Sequence, residues 1–315
     1  MDKKLDVLCI GLLSMDILVG PVNEKIFNCD ITRVDKFDIS TGGDALTEAT
    51  ILSRFGFKVG VIGKIGAGFF GQMLLKEARE SNINVENVVI DKEADTCTTI
   101  ALFNKKGDRN FITCKGGNDI LSLSDINISA IRKAKIVSLG SIFGLPMLDS
   151  SSIKTIFKEA RDNNAITAAD VTQDLDGTGL EGIKEILEYI DIFLPSYEEA
   201  VSLTKEKEPE KAAERLMEKG AKTVVIKLGK EGCYIRTRNE SYKLKAFDVK
   251  AVDTTGAGDN FVAGFLAGIL NKWELEKCGM FANAVGAVSV QSAGAVTSVK
   301  SMGQILDFMN TKNIL

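Results

Sequence analysis

Short apolar runs alternate with longer amphipathic segments along most of the chain. Residues 5–13 form a continuous apolar run, which is typical of a strand buried on both faces of a parallel sheet. Apolar positions at helical spacing follow in 45–55, and 58–62 is again a short strand pattern. Strands that alternate with helices in this way predict a three-layer α/β/α fold with a mostly parallel central sheet.

The second half of the chain continues the same alternation. Its patterns predict strands at 135–139, 165–169, 190–194 and 223–226, a strand pair at 233–238 and 241–246, and helices at 150–163, 180–189, 209–219, 261–270 and 277–290. Two β-branched and aromatic segments, 96–103 and 109–114, flank a polar turn at 104–108 and predict a hairpin. We therefore expect one domain over 1–315, with a small β-sheet lid formed by inserted segments at about 13–41 and 96–114.

Composition limits the classes of partner. The chain has 315 residues, of which 45% are hydrophobic and 26% charged, and its net charge is −4. These values are ordinary for a globular protein and give no support for a nucleic-acid or membrane-surface partner. The first apolar run is too short for a signal peptide or a membrane span. Because the six cysteines are scattered without a C-x-x-C motif, we expect reduced thiols and a cytoplasmic protein.

The chain contains no histidine. This absence excludes Ser-His-Asp triads, Cys-His pairs and histidine zinc sites. Catalysis, if present, must therefore use carboxylates, lysine, cysteine, tyrosine, backbone amides or a metal ion.

The stretch Asp-Thr-Thr-Gly-Ala-Gly-Asp at 253–259 leads directly into a predicted helix. Glycines allow close approach of a ligand, and the first amides of a helix lack partners within it. Together with the helix dipole, they predict an anion site that suits a phosphate. Asp259 has two readings from the residues alone: a helix-capping acid, or a general base beside a phosphate that is transferred.

A second glycine pattern suggests a different cofactor. Residues 66–71 match G-x-G-x-x-G, follow a strand and precede a predicted helix at 72–79. Asp91 lies twenty residues beyond Gly71, where a dinucleotide-binding fold has an acid for the ribose. The three residues between the strand and Gly66 are loose for that turn, yet an NAD(P) dehydrogenase stays an alternative.

Four motifs in chain order resemble those of the PfkB, or ribokinase-like, family of carbohydrate kinases. They are Gly42-Gly43 before a helix, Ser-x-x-Glu at 196–199, Lys-Leu-Gly at 227–229 and the 253–259 stretch. The resemblance covers nearly the whole chain and implies a ribokinase-like enzyme that phosphorylates a hydroxymethyl group of a small sugar with ATP. A nucleoside kinase of the adenosine type and a non-catalytic sugar- or nucleotide-binding protein are the alternatives.

The resemblance also implies roles for single residues. Asp259 matches the general base, and the amides of Gly256, Ala257 and Gly258 match the anion hole. Glu199 matches an acid that holds Mg²⁺ through water, which suits an ion that keeps its hydration. The residues that match nucleotide-binding positions are Ser196, Lys227, Gly229 and Asn283. Ser196 replaces the family's asparagine, and Lys227 stands where threonine is common.

The acceptor and a monovalent cation complete the implied site. The acceptor positions are Ser14, Asp16, Gly42, Gly43 and Thr47, the last replacing an asparagine. The positions that match a K⁺ site are Asp253, Thr255, Ser289, Ser292, Gly294 and Ser298. The acceptor itself stays open between ribose, fructose, a ketodeoxy sugar acid and a nucleoside. Exposed strand edges on the lid offer a surface for a homodimer.

Overall fold

The computed structural model describes residues 4–105, 109–175 and 177–312. Residues 106–108 of the predicted hairpin turn lie outside this part of the chain. The strands are β1 (Leu5–Ile10), β2 (Ser14–Gly20), β3 (Lys36–Gly42), β4 (Val59–Ile62), β5 (Lys64–Gly66), β6 (Val89–Asp91), β7 (Cys97–Phe103), β8 (Arg109–Cys114), β9 (Ala134–Ile142), β10 (Ile166–Val171), β11 (Ile192–Phe193), β12 (Thr223–Lys227), β13 (Cys233–Arg236) and β14 (Ser241–Leu244). The helices are α1 (Asp44–Arg54), α2 (Phe69–Glu80), α3 (Ile128–Arg132), α4 (Ser150–Asp162), α5 (Gly179–Leu187), α6 (Tyr197–Thr204), α7 (Pro209–Glu218), α8 (Ala257–Leu270), α9 (Leu275–Ser289) and α10 (Met302–Thr311).

Eight strands form the main sheet in the order β14-β13-β12-β11-β10-β9-β1-β4. The six strands from β12 to β4 are parallel, and β13 and β14 add an antiparallel edge. Parallel strands place their carboxyl ends at one edge of the sheet, where open α/β folds bind ligands. The predicted mostly parallel sheet is confirmed.

The main sheet is buried on both faces. In β1, Val7 and Cys9 pack in one hydrophobic core with α1, α8 and α9, while Leu8 and Ile10 pack in a second core with α4 and α5. All four side chains are fully buried, as expected when neighbouring residues of a strand point to opposite faces. Burial between two helical layers therefore explains the continuous apolar run at the start of the chain. The predicted three-layer architecture is confirmed.

A separate four-stranded sheet has the order β3-β2-β7-β8. Its strands come from the segments that the sequence predicts as inserted, and β7 and β8 pair as the predicted hairpin. The pairing register joins Ser40, Asp16, Thr99 and Thr113 in one rung across the sheet. The next rung contains Ile39, Ile17, Ile100 and Ile112. Because side chains alternate along strands, one face of the small sheet is polar at these rungs and the other is apolar.

The glycine pattern at 66–71 has a packing explanation. Gly66 ends β5, which pairs with β6 in a two-stranded sheet apart from the main one. Gly71 lies inside α2, where a Cβ atom would stand 1.9 Å from the carbonyl oxygen of Gly66. The glycines therefore permit close contact between α2 and β5. In the described residues, no helix combines the length and the apolar character that crossing a membrane would require.

Candidate active site

The segment that the sequence predicts as an anion site leads into the start of α8. Gly256 is the N-cap in the left-handed conformation, with φ of 70°, and a Cβ atom there would stand 2.6 Å from the Cβ of Ala295. The amide of Ala257 donates to the carbonyl oxygen of Thr254, at 3.2 Å. The helix runs for fourteen residues, so its dipole and the amides at its start favour an anion at this end.

Two cavities meet at this loop, and residues 253–258 form the wall that both share. Thr254, Ala257 and Gly258 line the larger cavity, whose volume is about 480 Å³. Asp253 and Thr255 line the smaller one, whose volume is about 240 Å³. A molecule in one cavity is therefore separated from a molecule in the other by a single turn of backbone.

The larger cavity brings together the nucleotide positions predicted from the sequence, apart from Ser196. Lys227, Gly229 and Asn283 line it with residues of the 246–251 segment and the start of α8. Asn283 donates through its amide to the carbonyl oxygens of Leu244 and Lys245, at 3.4 and 3.3 Å. This amide therefore fixes the chain beyond β14, which forms one side of the cavity.

The smaller cavity contains most of the predicted acceptor positions. Ser14, Asp16 and Gly43 line it, and Phe111 of the small sheet covers part of it. The hydroxyl of Ser14 donates to Asp16 Oδ1 at 3.1 Å, and a Cβ at Gly42 would stand 2.1 Å from Asp16 Oδ2. Burial and the charge of Asp253 raise the pKa of Asp16.

Asp16 and Thr47 lie in different elements of the structure. Asp16 belongs to the small sheet, because β2 begins at Ser14. Thr47 is buried in α1, does not line the smaller cavity, and its hydroxyl has no hydrogen-bond partner.

Asp259 lies in the first turn of α8, beside the shared wall. Burial raises its pKa well above the usual value, and the charges of Asp44 and Asp170 add to this effect. Lys227 acts in the opposite direction, and a weaker contribution comes from Asp16. A raised pKa makes the ionised carboxylate a stronger base than an ordinary surface aspartate.

Lys227 forms a buried ion pair with Asp170. Their side chains are 12% and 9% exposed, and they extend from the carboxyl ends of β12 and β10. Burial opposes the charge on Lys227, but the carboxylates of Asp170 and Glu199 outweigh it and raise its pKa. The lysine is therefore charged, and it faces the larger cavity.

Ser196 and Glu199 form a capping box at the start of α6. The Glu199 amide donates to Ser196 Oγ at 3.3 Å, and the Ser196 amide donates to Glu199 Oε2 at 2.6 Å. Burial and the neighbouring charge of Asp170 raise the pKa of Glu199. Within the described chain, no three acidic, cysteine or histidine side chains converge as direct metal ligands. The Glu199 carboxylate fits a hydrated divalent ion better than a closed protein cage.

The six positions predicted for a monovalent cation lie around the 253–255 and 289–298 segments. Asp253 accepts hydrogen bonds from the amides of Thr255, at 2.9 Å, and Gly294, at 2.8 Å. Ser289 donates to the carbonyl oxygen of Gly286, whereas Ser298 Oγ is buried without a hydrogen-bond partner. Ser292 is half-buried nearby in sequence. One carboxylate with otherwise neutral oxygens, one of them unsatisfied, fits a singly charged cation.

Sequence analysis missed the buried carboxylate of Asp44. It accepts hydrogen bonds from the Leu12 amide, at 2.8 Å, and from the hydroxyl of Ser141. Cβ atoms at Gly11 and Gly140 would both clash with it, which explains glycine at both positions. Burial raises its pKa to about 6.

Asn260 is a second residue that the sequence did not identify. Its amide donates to the carbonyl oxygens of Gly256, at 2.8 Å, and Ala295, at 2.7 Å. It thereby ties the start of α8 to the segment with the cation positions. An asparagine inside an apolar helix is unfavourable for the helix, and that cost was the available signal.

Comparisons with known proteins agree with this arrangement. An uncharacterized sugar kinase of Archaeoglobus fulgidus is 34% identical over 244 residues, which cover 78% of this chain and 96% of that protein. A protein named probable fructokinase-5 of Arabidopsis thaliana is 30% identical over 287 residues, covering 86% and 89%. An E. coli chain provisionally assigned as ribokinase II, solved with ATP and Mg²⁺, is 21% identical with a TM-score of 0.86, covering 99% and 100%.

The mostly parallel main sheet with the small second sheet is a ribokinase-like α/β fold. The chain belongs to the pfkB family of carbohydrate kinases, whose family model matches residues 4–302. The predicted family and the predicted ATP-dependent phosphorylation of a sugar are thereby confirmed. Because the chain belongs to this family, packing of α2 against β5 explains the glycines at 66–71, and the alternative of an NAD(P) dehydrogenase is not needed.

Proposed function

We propose that the protein transfers the γ-phosphoryl group of ATP to a hydroxymethyl group of a small uncharged sugar. The shared wall at 253–258 is the observation that carries this proposal, because phosphoryl transfer depends on holding donor and acceptor oxygens in line. ATP occupies the larger cavity and the sugar the smaller one. The phosphoryl group then passes across the start of α8.

Asp259 is the general base in this proposal. It takes the proton of the acceptor hydroxyl while that oxygen forms a bond to the γ-phosphorus and the bond to the β–γ bridging oxygen breaks. Its raised pKa supports the role, since a stronger base accepts the proton more readily. The amides of Gly256, Ala257 and Gly258 and the helix dipole stabilise the charge on the phosphoryl oxygens.

Two cations complete the proposed site. Glu199 holds Mg²⁺ through water, and the ion neutralises phosphate charge. K⁺ is held by oxygen atoms of Asp253, Thr255, Ser289, Ser292, Gly294 and Ser298, and the unsatisfied hydroxyl of Ser298 supports this assignment.

We expect replacement of Na⁺ by K⁺ to raise kcat several-fold in the wild type but not in Asp253→Asn. Equal rates in the two salts would remove the K⁺ assignment.

The smaller cavity favours an acceptor without charge. Asp16 and Asp253 line it, and none of its described lining residues is a lysine or arginine. The pKa of Asp16 is already raised there, so a further anion would meet like charge in a partly desolvated space. Hydroxyl groups, in contrast, donate to a carboxylate. Ribose or fructose therefore fits better than a ketodeoxy sugar acid.

An ADP-release assay with ribose, fructose, adenosine, a ketodeoxy sugar acid and fructose 6-phosphate tests the acceptor. We expect a neutral sugar to give a kcat/KM at least about 100-fold above either charged sugar, equivalent to about 3 kcal/mol. Comparable turnover of a charged sugar would refute the uncharged acceptor. A preference for adenosine would make the protein a nucleoside kinase.

Asp259→Asn tests the base directly. We expect kcat to fall by about 10²–10⁴-fold while the affinity for ATP changes little, because the substitution removes proton acceptance and keeps the side-chain volume. Asp307→Asn removes an exposed carboxylate of α10 and serves as the control, with wild-type activity. Substantial turnover by Asp259→Asn would exclude Asp259 as the base. ATP binding without turnover in the wild type would support a non-catalytic protein.

The small sheet has two proposed roles. Its polar face closes over the sugar as a lid that excludes water, a role supported by the position of Phe111 at the cavity. Its apolar face pairs with a second copy of the chain, and exposed side chains such as Phe37 and Ile112 support this role.

We also propose a cytoplasmic location for the protein, which is supported by its six free cysteines.

A further inference from the structure

The carboxyl ends of β10 and β12 lie on either side of β11, which has only two residues. Asp170 is the penultimate residue of β10, and Lys227 is the last residue of β12. Their side chains form an ion pair across the end of the short strand that separates them. The pair links two strands that are not neighbours in the sheet, at the edge where the site lies.

The ammonium group of Lys227 has a defined place beside the anion hole. A Cβ atom at Gly258 would stand 3.6 Å from Lys227 Nζ. The backbone of Lys227 is held separately, because its amide donates to the carbonyl oxygen of Pro195 at 2.9 Å. The long side chain of Lys227 is held at its end, where the ammonium group donates a hydrogen bond to Asp170. An ammonium group has three donors, so the contact with Asp170 leaves others for a phosphate.

We infer that Asp170 is a positioning residue, which holds the Lys227 ammonium group beside Gly258 so that it meets the phosphoryl oxygens during transfer. This inference rests on the proposed function, since it places ATP in the larger cavity. A lysine without a buried partner would have to order its side chain each time ATP binds, at a cost in conformational entropy. The pair removes that cost in advance. Stability alone is a weak reason for it, because buried ion pairs often stabilise less than apolar side chains of equal size.

The charges around the ammonium group agree with this role. Asp170, Glu199 and Asp259 all act on Lys227, and Asp170 is the closest of them by direct hydrogen bond. Glu199 and Asp259 act on the ammonium group by charge alone, so the direct hydrogen bond to Asp170 is the contact that fixes its position.

A double-mutant cycle with Asp170→Asn, Lys227→Met and the double variant tests the inference. We expect Asp170→Asn to lower kcat about 10–100-fold, with KM for ATP changed less than about three-fold. In the Lys227→Met background the same substitution should lower kcat less than about two-fold, because its target is gone. An equal loss in both backgrounds would overturn the inference. Absence of turnover in the wild type would instead refute the proposed function.

A second buried ion pair supplies a matched control. Lys64 and Asp125 lie 2.8 Å apart with side chains 9% and 16% exposed, and neither lines the two cavities at the shared wall. Lys64→Met and Asp125→Asn should lower the free energy of unfolding and leave kcat of the folded enzyme unchanged. Asp170→Glu covers the case in which Asp170→Asn does not fold, since it keeps the charge but displaces the ammonium group. Wild-type kcat in folded Asp170→Glu would overturn the inference.

Discussion

The buried carboxylate of Asp44 has a pKa that differs from its value in water. Its carboxylate is held between Gly11, Gly140 and Ser141, and Glu48 lies one turn further along α1. Burial raises the pKa of both acids, and the charge of Asp44 adds to the raised pKa of Glu48 and of Asp259. The base strength of Asp259 is therefore a property of several buried acids together.

The raised pKa of Asp44 gives a pH dependence of stability. Folding raises this pKa from 3.8 to about 6, so the folded protein holds the proton more tightly than the unfolded chain. Its stabilising contribution is complete below pH 3.8 and is lost as pH rises through 6. We expect the free energy of unfolding of the wild type, relative to Asp44→Asn, to fall by about 3 kcal/mol over this range.

Urea unfolding at a series of pH values measures this difference. A constant difference between Asp44→Asn and the wild type would show that Asp44 does not titrate in this range.

The residue types in the sequence predict the chemistry of the site, but they do not predict its long-range contacts. The 253–259 stretch predicts a phosphate site because glycines, a helix start and an acid are neighbours in the chain. Asp44 and Ser141 are 97 residues apart, and Asp170 and Lys227 are 57 apart. Such pairs form only when the fold brings distant segments together, so no local sequence pattern predicts them.

Among the elements, α8 is the one that sets the geometry of the shared wall. Gly264 and Gly268 face α9, where Cβ atoms would stand 2.9 Å from Val285 and 2.7 Å from Cys278. Each glycine disfavours the helix by about 1 kcal/mol relative to alanine. Close packing of the two helices explains why glycine occupies both positions.

Gly256→Ala tests whether the start of α8 depends on close packing as well as on backbone freedom. Alanine is strained at positive φ, at a cost of about 1–2 kcal/mol, and here its Cβ would also meet Ala295. We expect a loss of stability above this value together with at least a ten-fold fall in kcat. Gly56 has φ of 90° but no atom within 4 Å of an added Cβ. Gly56→Ala should therefore show the strain alone, with kcat unchanged; equal effects would refute the packing role.

Element boundaries were predicted best where glycine or proline interrupts a pattern. Helix α1 ends before Gly56, and α7 begins at Pro209, as the sequence indicates. The strand predicted at 190–194 is reduced to Ile192–Phe193. The four apolar residues of this segment reflect burial, which continues beyond the paired residues. The short helix α3 has too few residues to show a period.

At the scale of the whole molecule, two sheets of different character meet at the site. The main sheet is buried on both faces, whereas the small sheet exposes Phe37, Ile39 and Ile112 on its apolar face. Asp16 and Thr99 lie on the opposite face, towards the smaller cavity. An apolar face left uncovered in a single copy is the feature that supports pairing of two copies.

Sedimentation analysis of Ile112→Lys tests this pairing. We expect the wild type to be a dimer and Ile112→Lys to be a monomer, because a buried ammonium group would oppose association. Ile90→Lys, at a position equally exposed on β6, should remain a dimer. A monomeric wild type would refute the dimer, and a dimeric Ile112→Lys would place the interface elsewhere.

The wall shared by the two cavities has a consequence for inhibition. A nucleotide and a sugar joined by a short polyphosphate could fill both cavities at once, since only residues 253–258 separate them. Binding of one end would confine the other to a small volume and give it a high effective concentration. Such a tethered compound should bind much more tightly than either half, and the linker length of the tightest compound would measure the thickness of that wall.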